Sequence, residues 1–312
     1  MLYLITIVVL GNTVLQLQKV EQLAGGSKLA RLLHQPARYL YAMLLSKLLY
    51  PVTRKGALKK ASLFFGGSMD VLLPAATDIY LTGGKTHDSE IRLAKFFIAN
   101  LNEGDTFLDV GAHFGYFTLL ASALVGHNGK VLGIEPSKGS FALLTKNVAA
   151  KKNITVFHNA VSDKNEDVNF HEFPVLYSEY NAMDIEKFRQ ESWIKKYSPQ
   201  AITVQAVTID NFLQEHKAEP AIIKIDVEGA EVKAVSGGAN TWQTKAPVLV
   251  MEYLDEDADG TYEAAANIMY ESGYKSFIIL HDGSVKETND VPGYMKAKNI
   301  TSENVVFKKH NK

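Results

Sequence analysis

The chain has 312 residues, 46% of them hydrophobic and 21% charged, with a formal net charge of −1 and no cysteine. That length fits two domains or one α/β domain with an extension, and the composition excludes disorder, collagen and coiled coil. The charge gives no electrostatic reason to expect nucleic acid, and a chain without thiols has no disulfide, thiolate metal site, Fe–S cluster or cysteine nucleophile, which fits a reducing, cytoplasmic setting. Charge is unevenly spread. Residues 1–60 carry nine Lys/Arg against Glu21 alone, a net of +8, so the remainder holds −1 − 8 = −9. This division predicts a basic, apolar helical extension over 1–60 on an acidic body over 61–312.

Within the extension, Met1–Leu10 is an apolar run shorter than the ~18–20 residues that span a bilayer, and no basic residue precedes it as in a secretory signal. A second run, Tyr39–Tyr50, stops at Pro51 and is followed at once by Arg54, Lys55, Lys59 and Lys60. An apolar helix flanked by cations can lie in a membrane interface. It can equally pack on the main domain or in a homodimer, and periodicity leaves these readings open.

From Ala61 the texture changes. Val71–Leu81, bounded by glycine pairs, suggests short strands ahead of a helix near Glu90–Asn100. Regular alternation follows: strand Thr106–Val110, helix Tyr116–Leu124, strand Lys130–Glu135, helix Gly139–Ala150, strand Ile154–His158. After a charged and aromatic interruption over 165–208, strands at Ala221–Asp226 and Val248–Tyr253 resume it, then a helix near Tyr262–Glu271 and strands at Ser276–Leu280 and Asn304–Lys308. Strands alternating with helices of this length predict a doubly wound, mostly parallel sheet.

Three stretches carry chemistry. In Asp109-Val110-Gly111-Ala112-His113-Phe114-Gly115 a buried strand enters a glycine turn that opens an apolar helix, whose N-terminus offers free N–H groups to an anionic ligand group. The spacing G-x-x-x-G is not the G-x-G-x-x-G of dinucleotide sites, which argues against NAD. Glu135 ends the next strand 24 residues after Gly111 and is placed to accept both hydroxyls of an adenosine ribose. Finally, Lys224-Ile225-Asp226-Val227-Glu228-Gly229-Ala230-Glu231 and the strand ending at Glu252 bring further carboxylates to the ligand-binding edge of such a sheet. Capping and salt bridges to Lys224, Lys233 or Lys245 would also account for them.

The strings DVGAHFGYFTL, GIEPS, NAVSD, KIDVEGAE and PVLVMEY, in this order and spacing, resemble the FkbM family of S-adenosylmethionine-dependent methyltransferases over roughly Leu63–Glu252. The resemblance implies a class I methyltransferase sheet of seven strands, Rossmann-like, and O-methylation of a sugar, glycan or secondary-metabolite hydroxyl. It implies that Asp109, Gly111, Ala112 and Gly115 hold the methionine end of the cofactor, that Glu135 holds the ribose, and that Ser162 and Asp163 sit beside the adenine. Asp226 would face the methyl group, with Asp226, Glu228, Glu252 and His113 as candidates to take the acceptor proton. His113 stands where that family usually has Asn. No metal centre is expected, since no His pair completes a site around Asp226 and Glu252. The competing reading is a non-catalytic scaffold that keeps the cofactor fold at a membrane surface. Gly84-Lys85-Thr86 lacks the glycine that a phosphate loop needs at position 79, and Asp255-x-Asp257-x-Asp259 lacks the twelfth-position Glu of an EF-hand.

Overall fold

A computed structural model describes residues 2–183, 185, 193–254 and 260–309, with side chains from residue 11 onward. The Asp255–Asp259 run lies outside the described residues. Thirteen strands are described: β1 (Ala57–Ser62), β2 (Ser68–Leu73), β3 (Thr106–Val110), β4 (Lys130–Ile134), β5 (Ile154–Phe157), β6 (Ala160–Val161), β7 (Asp167–Glu172), β8 (Gln200–Val207), β9 (Ile222–Ile225), β10 (Val248–Leu254), β11 (Lys275–Ile279), β12 (Val285–Thr288) and β13 (Ser302–Lys308).

The central sheet has the order β12-β11-β13-β10-β9-β3-β4-β5. β10, β9, β3, β4 and β5 pair in parallel, and β13 enters antiparallel between β10 and β11. The expected seven strands are therefore present, and an eighth, β12, is added as an antiparallel hairpin on the edge. Val285-Lys286-Glu287-Thr288 is too polar to be read as a buried strand, and pairing on one side only makes that tolerable.

Alternate strand residues face opposite layers, which is why the strands read as continuous apolar runs. Phe107, Val131, Ile222 and Val250 face the helices Asp88–Asn100 and Tyr116–Val125. Leu108, Leu132, Ile223 and Leu249 face the helices Ile209–Glu215 and Thr261–Glu271. β7 and β8, from the interrupting segment, join β6 in a separate small sheet.

Two boundaries differ from the sequence reading. After β2 the chain forms a helix, Thr77–Thr82, rather than a second strand; Asp78 occupies its first turn and Gly83, at φ 81°, ends it. The apolar run also does not stop at Pro51. Helix Pro36–Leu44 widens into a π turn over Leu45–Leu49 and continues over Tyr50–Thr53. The wider turn accommodates a proline that cannot donate to the preceding helical ladder.

The extension is anchored on the body. Leu17, Val20, Ala42 and Leu45 are buried in the same core cluster as Ala61, Phe97 and Phe117, and Glu21 pairs with Lys95 at 2.8 Å. Among the described residues no helix is long and apolar enough to cross a membrane.

Candidate active site

The parallel strands β3, β4, β9 and β10 end at one edge of the sheet, and the turns that follow them form the floor of a cavity of about 160 Å³. Gly111 leaves β3 at φ 81°, and a Cβ there would stand 1.8 Å from the carbonyl oxygen of Asp226. Glycine is thus required by the chain's own backbone: the turn after β3 and the turn after β9 lie against each other. Gly115, at φ 92°, caps the helix Tyr116–Val125 and packs on Leu144.

Glu135 follows β4, is buried and lines the cavity. Its Oε2 accepts the His113 backbone N–H at 2.7 Å and its Oε1 the Ser137 N–H at 2.9 Å. Burial nevertheless pushes this carboxyl up to about 7. His113 sits at φ 48°, a region that Asn, Asp and His enter more readily than other side-chain residues. The histidine therefore satisfies the same backbone demand as the asparagine the resemblance leads one to expect. Its Nε2 lies 3.2 Å from Ser178 Oγ, and burial lowers its pKa to about 4, so the ring is neutral at neutral pH.

Beside Glu135 the wall is Asn159, Ala160 and Val161. Ser162 and Asp163 follow directly but do not line the cavity: Ser162 is buried and its hydroxyl donates to Asp163 at 3.1 Å. Asp109 and Ala112 line a side chamber of about 40 Å³ that also touches His113 and Asp226. The Asp109 carboxylate accepts Thr118 Oγ1 at 2.6 Å, and its other oxygen lies 3.6 Å from Lys224 Nζ.

The acidic candidates converge. Asp226, Glu228 and Glu252 each place an oxygen within 4.8 Å of the others, close enough to share a proton or a hard cation. They are not equivalent. Burial pushes the Asp226 carboxyl up, but Lys224 Nζ at 3.0 Å, with Lys85 beyond, more than offsets this and holds it below the ordinary carboxylate value. Burial and the charges of Asp226 and Glu228 push Glu252 well above its ordinary value, although Ser302 Oγ donates to it at 2.8 Å. The two carboxyls are thus pushed apart, and Glu252 takes up a proton more readily than Asp226. Glu231 does not line the cavity. It is buried and accepts the N–H groups of Val227 and Gly229 at 3.2 and 2.9 Å, which fixes the turn that carries Asp226 and Glu228.

Several wall residues were not singled out from sequence. Lys85 pairs with Glu90 and lies 3.6 Å from Glu179; burial opposes its charge, but these acids raise its pKa well above the ordinary value. Lys85, Glu90, Glu179, Asp226, Glu228 and Glu252 line both the cavity and an adjoining groove of about 910 Å³. In sequence Gly84-Lys85-Thr86 resembles only the end of a phosphate loop, and Glu179 lies in the irregular 165–208 segment, so neither carries a signal of this site.

Residues 109–276, more than half of the chain, match a family model described as the methyltransferase FkbM domain. The chain belongs to the FkbM methyltransferase family. Its central sheet is that of class I methyltransferases. Solved structures with a similar course include methyltransferase FkbM from Methylobacillus flagellatus KT, 14% identical over 88% of this chain and 58% of that one, with a TM-score of 0.43. A SAM-dependent O-methyltransferase from Thermotoga maritima is 12% identical over 80% of this chain and 77% of its own, with a TM-score of 0.39. Fibrillarin from Aeropyrum pernix, solved with natively bound S-adenosyl-L-methionine, is 12% identical over 67% and 68%, with a TM-score of 0.36. At such identities and scores none of the three bears on this FkbM chain's substrate or chemistry. No curated protein matches it.

Proposed function

We propose that this chain transfers a methyl group from S-adenosylmethionine to a hydroxyl of a sugar, glycan or secondary metabolite. The observation that carries the reading is the seam at which Lys85, Glu90, Glu179, Asp226, Glu228 and Glu252 belong to both the cavity and the groove. A cofactor in the one and an acceptor in the other would meet at carboxylates.

The residues present fit the cofactor. Each Glu135 oxygen takes one backbone N–H and keeps acceptor capacity for a ribose hydroxyl. Val110, Ile134 and Val161 give the cavity apolar surface for a purine. Asp109, Gly111, Ala112 and Gly115 would form the methionine end, with Ser162 and Asp163 backing the adenine wall. S-adenosylmethionine, when bound, supplies an electrophilic methyl group. The chain's part is to hold an acceptor hydroxyl in line with it and to remove the hydroxyl proton. Asp226 is suited to this because Lys224 holds its carboxyl down in the ionised form, whereas Glu252, which burial and its acidic neighbours push up, is better suited to orient the hydroxyl. Neutral His113 and Glu228 stand at the same cavity as the next candidates. Asp78, Glu90, Glu179, Asp226, Glu228 and Glu252 outnumber Lys85 and Lys224 along the groove, which favours an uncharged polyol over an anionic acceptor.

The test is methyl transfer from labelled cofactor to a cell extract, with the product identified by mass spectrometry. Label on an oxygen of a neutral acceptor is expected. Label on nitrogen would overturn the acceptor class, and cofactor binding without any transfer would leave the scaffold reading. The proximity of the three carboxylates favours, as a second reading, a divalent cation that acidifies the hydroxyl. Turnover that survives a chelator separates the proton-sharing version from this one.

A further inference from the structure

The extension is buried on one side only. On the helix that runs from Pro36 to Thr53, Ala42, Leu45 and Tyr50 are buried, while Leu40, Leu44, Leu48 and Val52, spaced four apart, are 61, 48, 62 and 83% exposed. They form a ridge about 18 Å long at 1.5 Å per residue. On the preceding helix, Lys28–His34, Leu29 and Leu33 repeat the pattern at 61 and 72% exposure. Of the fourteen large apolar side chains exposed among the described residues, ten lie within residues 14–52, so this is a patch and not the ordinary scatter of surface leucines.

The charges beside the patch are of one sign. Lys28, Lys47 and Lys55 are exposed, and their ammonium groups have no acidic partner among the described residues. Glu21, the only acid in residues 1–60, is engaged by Lys95 at 2.8 Å and His281 at 3.0 Å. Arg38 and Arg54, by contrast, are turned to the body, over the rings of Tyr80 and Tyr197. The helix is therefore held on its inner side by the fold and presents leucines with unneutralised lysines on the outer side.

We propose that this outer face docks on an anionic lipid surface, with the leucine ridge entering the interface and the lysines meeting the headgroups. Leucines flanked by cations match both layers of such a surface. A second copy of the chain fits worse, because a two-fold contact would bring one basic patch, with Lys47 and Lys55, against another. The ridge runs along the helix axis, so the proposed contact lies in the plane of the surface.

The test is co-sedimentation of the full chain with vesicles of phosphatidylcholine, alone or mixed with phosphatidylglycerol, over a range of salt. Binding only to the mixed vesicles, weakening as salt rises, is expected. Leu44→Asp with Leu48→Asp is expected to lower binding about tenfold or more, with an unchanged melt showing that the fold is kept. Lys47→Glu with Lys55→Glu should abolish the preference for anionic lipid. No binding by the wild type, or binding that either pair of substitutions leaves intact, overturns the proposal. So does a solution dimer that the leucine substitutions dissociate in the absence of vesicle binding, which would assign the ridge to a second copy.

Discussion

Lys224 is an apolar strand's one charged residue, and its replacement by methionine gives the sharpest test of the site's electrostatics. The ammonium is buried, 3.0 Å from Asp226 and 3.6 Å from Asp109, and lies over the ring of Phe117. Lys224→Met keeps the length of the side chain and leaves Asp109, itself 1% exposed, with Thr118 as its remaining hydrogen-bond donor. Removing one partner of a buried pair costs about 3–5 kcal/mol when the other stays charged. Asp109 can escape part of that cost by taking up a proton. Burial already raises its pKa in the folded state, and loss of Lys224 raises it further. A carboxyl raised on folding destabilises the protein above its unfolded value, and the penalty is relieved as pH falls through the folded value. Urea unfolding of wild type and variant at about pH 8 and about pH 5 should therefore show a gap that is wide in alkali and narrow in acid. Adding Asp109→Asn to the variant should recover most of the loss. A gap below about 1 kcal/mol at both values, or one that widens in acid, would refute the assignment of Lys224 as the counter-charge of this site.

Three further outcomes are expected. Asp226→Asn should cut methyl transfer by about 10²-fold or more with little change in melting temperature, measured with labelled cofactor; wild-type turnover would move the base to His113 or Glu228. Glu135→Ala should weaken cofactor binding by about 1–3 kcal/mol in calorimetry. In the wild type, affinity should fall as pH drops through about 7, where Glu135 gains a proton and loses an acceptor site, and Glu135→Gln should remove that dependence. Gly111→Ala should lower the melting temperature and impair cofactor binding together, because its Cβ would meet the Asp226 carbonyl at 1.8 Å in a left-handed conformation that costs alanine about 1–2 kcal/mol.

Much of this site is written locally. A strand buried on both faces must be apolar throughout, so β3, β4, β9 and β10 stood out as runs, and their final carboxylates, Asp226 and Glu252 among them, stood out against the runs. Gly111 was legible as a glycine the fold needs, but its reason was not: what it spares is a carbonyl 115 residues later in the chain. Ser178 and Glu179 were hidden because they lie in a 3-10 turn, Val175–Tyr180, with no periodicity to read. Lys85 was hidden for a related reason, since its partners Glu90 and Glu179 are brought together by tertiary packing. The hairpin strand β12 escaped because an edge strand has little apolar surface to bury.

The contact between Gly111 and the Asp226 carbonyl also divides the cavity into parts that differ in how freely they can be altered. A floor made of two backbones at van der Waals distance admits no larger residue at position 111, and a shift of either turn displaces the other. The wall from Phe170, Ser178, Asn181 and Met183 is built of side chains from a separate small sheet and its adjoining turn, where exchange changes shape without moving the floor. That wall belongs to the cavity proposed for the cofactor, so efforts to retarget this protein to a different acceptor should leave it and the two turns as they are and spend their libraries on residues that line the groove alone, such as Thr77, Tyr180, Trp193 and Thr301.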